Sequence, residues 1–163
     1  MNATKLALIV SVVAVTLPQT VNAKPAALSK SWAGTWHLNA EKSKFSSAQF
    51  TPRSDTRIYT VAGRRLALHS TTINPAGKTI RWSYSAKTDG KWYPTLGNPN
   101  NDHIALTFVN SREIKSKTTL KGKPATIATM TISADGKELT LARSVMTAKG
   151  GPTDDTVVFE RTK

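Results

Sequence analysis

The sequence predicts an all-β fold, an antiparallel up-and-down barrel of about eight to nine strands. Three observations carry that expectation. Apolar side chains recur at every second position in one stretch after another, and turn-forming pairs such as Asp89-Gly90 and Asp135-Gly136 separate those stretches. No apolar period of 3.6 residues survives beyond a turn or two. A meander of strands, each with one dry face, buries that face and loses both edges by closing on itself. Two packed sheets are the second architecture that this pattern allows.

Residues 1–23 come first and read as a secretory leader: Lys5, the apolar run Leu6–Val15, Pro18, and the small-residue end at Val21-Asn22-Ala23. The apolar run is about half the length needed to cross a bilayer, so no membrane span is expected once the leader is cleaved. A periplasmic or secreted protein follows. Residues 24–31 read as a short linker and 32–163 as one barrel domain. Cleavage would leave 140 residues. Since only Lys5 of the 23 Lys and Arg lies in the leader, and none of the 10 Asp and Glu, it would also leave a net charge of +12. With no cysteine, disulfides, a lipid-modified Cys and thiolate zinc sites are excluded.

Strands are expected near 33–39, 54–62, 65–73, 78–88, 102–109, 112–120, 124–133, 137–147 and 155–162. The alternation is clearest where Ile80, Trp82, Tyr84 and Ala86 interleave with Arg81, Ser83, Ser85 and Lys87. Ile104, Leu106 and Phe108 share one parity, another alternating run spans Ile114–Leu120, and Leu139, Leu141 and Val145 share a further parity. Ala62-Gly63, Pro75-Ala76-Gly77, Asn110-Ser111, Lys121-Gly122 and Gly150-Gly151-Pro152 supply the remaining turns. Two longer connections break the spacing: 40–53, with Phe45 and Phe50, and 91–101, where Trp92 and Tyr93 are expected at the rim of a mouth.

At the head of the first strand, Trp32-Ala33-Gly34-Thr35-Trp36 resembles the Gly-x-Trp that opens lipocalin barrels, and Arg161 in Val157–Arg161 matches the basic residue that lipocalins set against that Trp. The resemblance implies that Gly34, Trp36 and Arg161 are structural. Gly34–Asn39 with Lys42–Phe45, then Tyr93-Pro94 with Gly97–Asn100, resembles a group of small exported bacterial lipocalin-like, calycin-type proteins. That likeness implies a barrel with a small-molecule pocket and brings no catalytic residue with it.

Chemistry by other routes finds little support. His37, His69 and His103 lie 32 and 34 residues apart, not at metal-ligand spacing. No Gly-x-Ser-x-Gly elbow occurs, and Gly77-Lys78-Thr79 has Thr72 where a phosphate-binding loop needs its first Gly. Asp154 and Asp155 are adjacent in an expected turn. No enzyme activity, catalytic residue, metal or cofactor is therefore expected.

Binding is the better reading. Trp82, Tyr84, Leu106 and Phe108 stand on apolar parities and form either a ligand wall or a filled core. Arg143 shares the parity of Leu139 and Leu141, so its guanidinium points inwards and needs a partner, either an anionic group of a ligand or water or an internal acid such as Glu138 or Glu160. The basic stretch Arg112, Lys115, Lys117, Lys121 and Lys123 reads as a solvated face or a grip on phosphates. The favoured expectation is an exported barrel that holds a small apolar or anionic molecule. The alternative is a basic envelope-associated protein that binds anionic polymers or lipid head groups at its surface, without a pocket. Nucleic acid is not expected. Charges such as Arg81 and Lys115 on the wet faces weigh against an outer-membrane barrel.

Overall fold

A computed structural model describes residues 27–48, 51–146 and 152–162. The leader expected over residues 1–23, Phe50 and the Gly150-Gly151 turn lie outside the described residues. Ten strands are present among those described: β1 Gly34–Lys44, β2 Ser54–Ala62, β3 Arg65–Ile73, β4 Thr79–Lys87, β5 Asp89–Leu96, β6 His103–Asn110, β7 Glu113–Leu120, β8 Lys123–Ile132, β9 Glu138–Met146 and β10 Pro152–Arg161. Each pairs antiparallel with its neighbours in sequence, and β1 pairs with both β2 and β10, which closes an up-and-down barrel of calycin-like form. β2 and β3 occupy the expected ranges. One strand more than expected appears because β5 lies where a connection over 91–101 was anticipated, and β1 runs on through Lys44.

Alternation sets the inside. Leu66, Leu68, Tyr84, Ala86, Leu106, Ile114, Met130, Ile132, Leu139 and Phe159 are buried, while residues between them, such as Lys115, Lys117 and Lys87, face solvent. Apolar inside and charged outside is the reverse of a membrane-spanning barrel. No helix among the described residues is long and apolar enough to cross a membrane.

One end of the barrel is sealed. A single 3-10 turn, Lys30–Trp32, is capped by the Ser29 hydroxyl, which accepts from the Ser31 N–H at 3.1 Å. Leu28 N–H donates to Gly63 O and Ser29 N–H to Ser111 O, while the Trp32 indole N–H donates to Ser111 O at 2.9 Å. Leu28 and Trp32 thereby enter the core. Residues 27–31 thus pack at the barrel's floor: an apolar Leu28 gains more from the barrel end than from water.

Arg161 locks that floor. Its guanidinium stacks on the Trp36 ring with Cζ 4.4 Å from the centroid. Nε donates to Gly136 O at 2.9 Å, Nη1 to Ala33 O at 2.6 Å and Nη2 to Ser31 O. Trp36, directly opposite Arg161 on the neighbouring strand, has no solvent exposure. Gly34 makes the approach possible: its φ is +143°, and a Cβ there would stand 2.5 Å from Arg161 Nη1. Replacing Gly34 by Ala is expected to lower unfolding free energy by about 2 kcal/mol, measured by urea denaturation. An unchanged midpoint would mean that the floor is not held through this contact.

Candidate functional site

The strands that rise away from the floor carry their inward side chains towards the other, open end. There the interior changes character. Thr72 on β3, Ile80 and Trp82 on β4, Thr126 on β8, and Arg143 and Val145 on β9 point inwards yet remain half-buried, so water reaches them from the mouth. Deeper positions on the same strands, Leu66, Leu68, Ala86, Ile132 and Leu139, are sealed.

Two ion pairs are built into this interior. Asp55 accepts from Arg57 Nε at 2.9 Å, from Ser70 Oγ at 2.8 Å and from Thr72 Oγ1 at 3.1 Å. Arg57 lies between aromatic rings, with Cζ 4.4 Å from the Phe159 centroid and 5.8 Å from that of Trp82. Burial opposes its charge, but Asp55 beside it and the Tyr59 hydroxyl outweigh that effect and raise its pKa further. Arg143 donates to Asp155 Oδ2 from Nε at 3.0 Å and from Nη2 at 2.8 Å. The Ser46 N–H and hydroxyl donate to the other oxygen of Asp155, each at 2.8 Å. Burial works to raise the Asp155 pKa. The Ser46 donors and Arg143 prevail, and it lies below the usual carboxylate range. Tyr59 and Tyr84, both in the sealed core, have their hydroxyl pKa values pushed up by burial.

The candidate ligand residues occupy different depths. Trp82 and Tyr84 stack with centroids 6.0 Å apart, Trp82 nearer the mouth. Arg143 stands at the mouth with 23% of its side chain exposed. Leu106 is fully buried in mid-barrel, and Phe108 lies towards the floor under the Arg64 guanidinium, 5.2 Å away. The five therefore do not converge on one point. The internal acid that meets Arg143 is Asp155, not Glu138 or Glu160, both of which bind Lys42 on the outer wall. Asp155 belongs to β10, not to a turn, and it points inwards while Asp154 points outwards. Trp92 and Tyr93, expected at the rim, belong to β5: Trp92 is exposed on the outer wall, and Tyr93 packs against the core.

Arg57 is a functional candidate that parity alone could have found, since it alternates with Asp55 and Tyr59 within the expected strand 54–62. His37, His69 and His103 are exposed, and no cluster of metal-ligating side chains occurs among the described residues. Arg112, Lys115, Lys117, Lys121 and Lys123 are all exposed but extend from the floor end of β7 to the turn at the mouth. Two open depressions are lined by residues of both faces of the sheet. One of about 310 Å³ is lined by His69, Arg81, Trp82, Ser83 and Leu96, and one of about 490 Å³ by Lys44, Ile127, Arg143, Asp154 and Asp155.

Because the Asp155 pKa is lower folded than unfolded, its contribution to stability is complete above the ordinary value near 4 and fades as pH falls through the folded value. Thermal melts of the protein are expected to lose midpoint between about pH 5 and pH 3, and Asp155→Asn is expected to flatten that slope. The variant should also cost about 2 kcal/mol at pH 7, because Arg143 loses its charged partner.

No family model matches the chain, and no curated protein matches it by sequence. Among solved structures, the barrel is similar to zebrafish ileal bile acid-binding protein complexed with cholic acid, with a TM-score of 0.52 and 12% identity, covering 81% of this chain and 99% of that one. At that identity the similarity is one of fold: both chains are closed antiparallel β-barrels.

Proposed function

We propose that the protein is an exported carrier that holds a small, partly apolar molecule in the open half of its barrel. The observation that carries this reading is the division of the interior into a sealed half and a half that water reaches, with Trp82 and Arg143 on the wet side of the boundary. An aromatic face on β4 and a guanidinium across the barrel on β9 suit a molecule with an apolar body and an anionic group. Arg143 can serve both Asp155 and such a group: its bonds to Asp155 use Nε and Nη2, which leaves Nη1 to donate. The similar barrel complexed with cholic acid supports a cargo of this kind. The leader-like residues 1–23 support export.

Titration of the protein with cholate and with decanoate, followed by calorimetry, tests the reading. Saturable binding is expected, weakened about tenfold by Trp82→Ala and by Arg143→Gln. Leu106→Ala should lower stability by about 3 kcal/mol instead, with little change in affinity per folded molecule. Added salt should barely affect the uptake of decanoate if its chain is enclosed. Absence of binding for both ligands, or affinities unmoved by the two variants at the mouth, would overturn the carrier assignment.

A further inference from the structure

The open end combines exposed apolar side chains at strand ends with exposed cations. Strands β1, β3, β5, β7 and β9 all run from floor to mouth, and their last residues are Lys44, Ile73, Leu96, Leu120 and Met146. Three of these large apolar side chains stand in water: Leu96 is 66% exposed, Leu120 36% and Met146 46%. They sit on alternate strands, so they are spaced around the rim and do not pack on one another.

Around the same rim stand Lys44, Arg53, Lys78, Lys121 and Lys123, all exposed. None of them forms an ion pair among the described residues. The acids nearby are already engaged. Asp102 accepts from the Lys121 N–H at 2.6 Å, from Thr119 Oγ1 at 3.2 Å and from His103, while Asp154 accepts from the Ser144 hydroxyl.

We propose that the open rim docks on the surface of an anionic lipid bilayer, with Leu96, Leu120 and Met146 entering the headgroup region and the five cations facing lipid phosphates. The arrangement itself selects a bilayer as the partner. Cations spread round a ring match a plane of diffuse negative charge, whereas a folded acidic protein would offer a localised patch. Apolar tips projecting between cations gain by leaving water only where the partner has an apolar layer beneath its charge. Docking in this orientation sets the mouth of the barrel against the bilayer. That consequence rests on the carrier reading; the docking itself does not.

The chain has no cysteine, so a single introduced thiol can carry an environment-sensitive fluorophore. Leu120→Cys and Leu96→Cys report on the rim, and Ser111→Cys reports on the floor. With vesicles of phosphatidylcholine and 30% phosphatidylglycerol, the two rim labels are expected to shift to the blue and the floor label to stay unchanged. Vesicles of phosphatidylcholine alone should bind at least tenfold more weakly. Lys121→Gln with Lys123→Gln should reduce partitioning into the anionic vesicles by about 25-fold, roughly fivefold per charge, with the circular dichroism spectrum unaltered.

A shift at the floor label alone would put the contact at the opposite end of the barrel and overturn the proposal. Retention by polyphosphate with no shift on vesicles would overturn it as well, as would partitioning indifferent to the two lysines. Vesicles are titrated without cargo, so failure here leaves the reading of the interior intact, and failure of cholate or decanoate to bind leaves docking intact.

Discussion

The contact between Arg161 and Trp36 is the point on which the architecture closes. A barrel has no edges only if its first and last strands meet, and here the ladder between β1 and β10 is reinforced by a guanidinium that covers an indole face while bonding to three backbone carbonyls. Those carbonyls come from the 3-10 turn, its C-cap Ala33 and the β8–β9 turn. One side chain therefore ties the floor to both ends of the sheet. Lysine could supply the charge there but not the planar fork that reaches three acceptors while stacked. Trp32 and Trp36, each burying on the order of 200 Å², fill the space that the fork encloses, and the Trp36 N–H donates to Trp32 O at 3.3 Å.

A closed sheet also imposes a condition on its interior. Every second residue of ten strands must point in, and a chain of mixed composition cannot make all of those positions apolar. Asp55 with Arg57 and Asp155 with Arg143 meet the condition in pairs, so the inner face carries these four charges with no net sum. Leaving one member alone would cost several kcal/mol. Arg57 gains a further environment in which its charge is welcome, the faces of Phe159 and Trp82. The pairs also fix the orientation of side chains around the space beneath the mouth, which is useful to any site that must hold a ligand in one pose.

Most of this fold was legible in the sequence, and the failures have physical causes. β2 and β3 stand out because their alternation is clean and their turns contain Gly63 and Gly77 in positive-φ conformations. β5 was hidden. Its Trp92 and Tyr93 are adjacent aromatics on opposite faces, Pro94 removes a donor, and its pairing with β4 amounts to Ser83 with Leu96 and Tyr84 with Thr95. A strand held mainly by one neighbour does not need the regular pattern of a doubly paired one. Arg143 was placed inside by parity, but its partner was not identifiable: Glu138 lies on the opposite parity of the same strand, and nothing local distinguishes Asp155 from Asp154 until the β9–β10 register is known. The depth of each inward residue was equally invisible, because periodicity reports a face and not a height along the barrel.

The positive charge of the chain is accounted for by what its acids do. Asp55 and Asp155 are spent inside the barrel. Asp89, Asp102 and Asp135 accept backbone N–H groups in turns, Glu138 and Glu160 share Lys42, and Asp154 takes the Ser144 hydroxyl. Eight of the ten acids thus take part in these contacts. The lysines have no matching structural duties: Lys87, Lys91, Lys115 and Lys117 are exposed along the wall. A field of that sign follows from 23 Lys and Arg against 10 Asp and Glu, and it extends over about one Debye length, roughly 8 Å at physiological salt. What turns a general cationic field into a directed surface is position. Leu96, Leu120 and Met146 end strands that run to the mouth, and exposed cations stand beside them there.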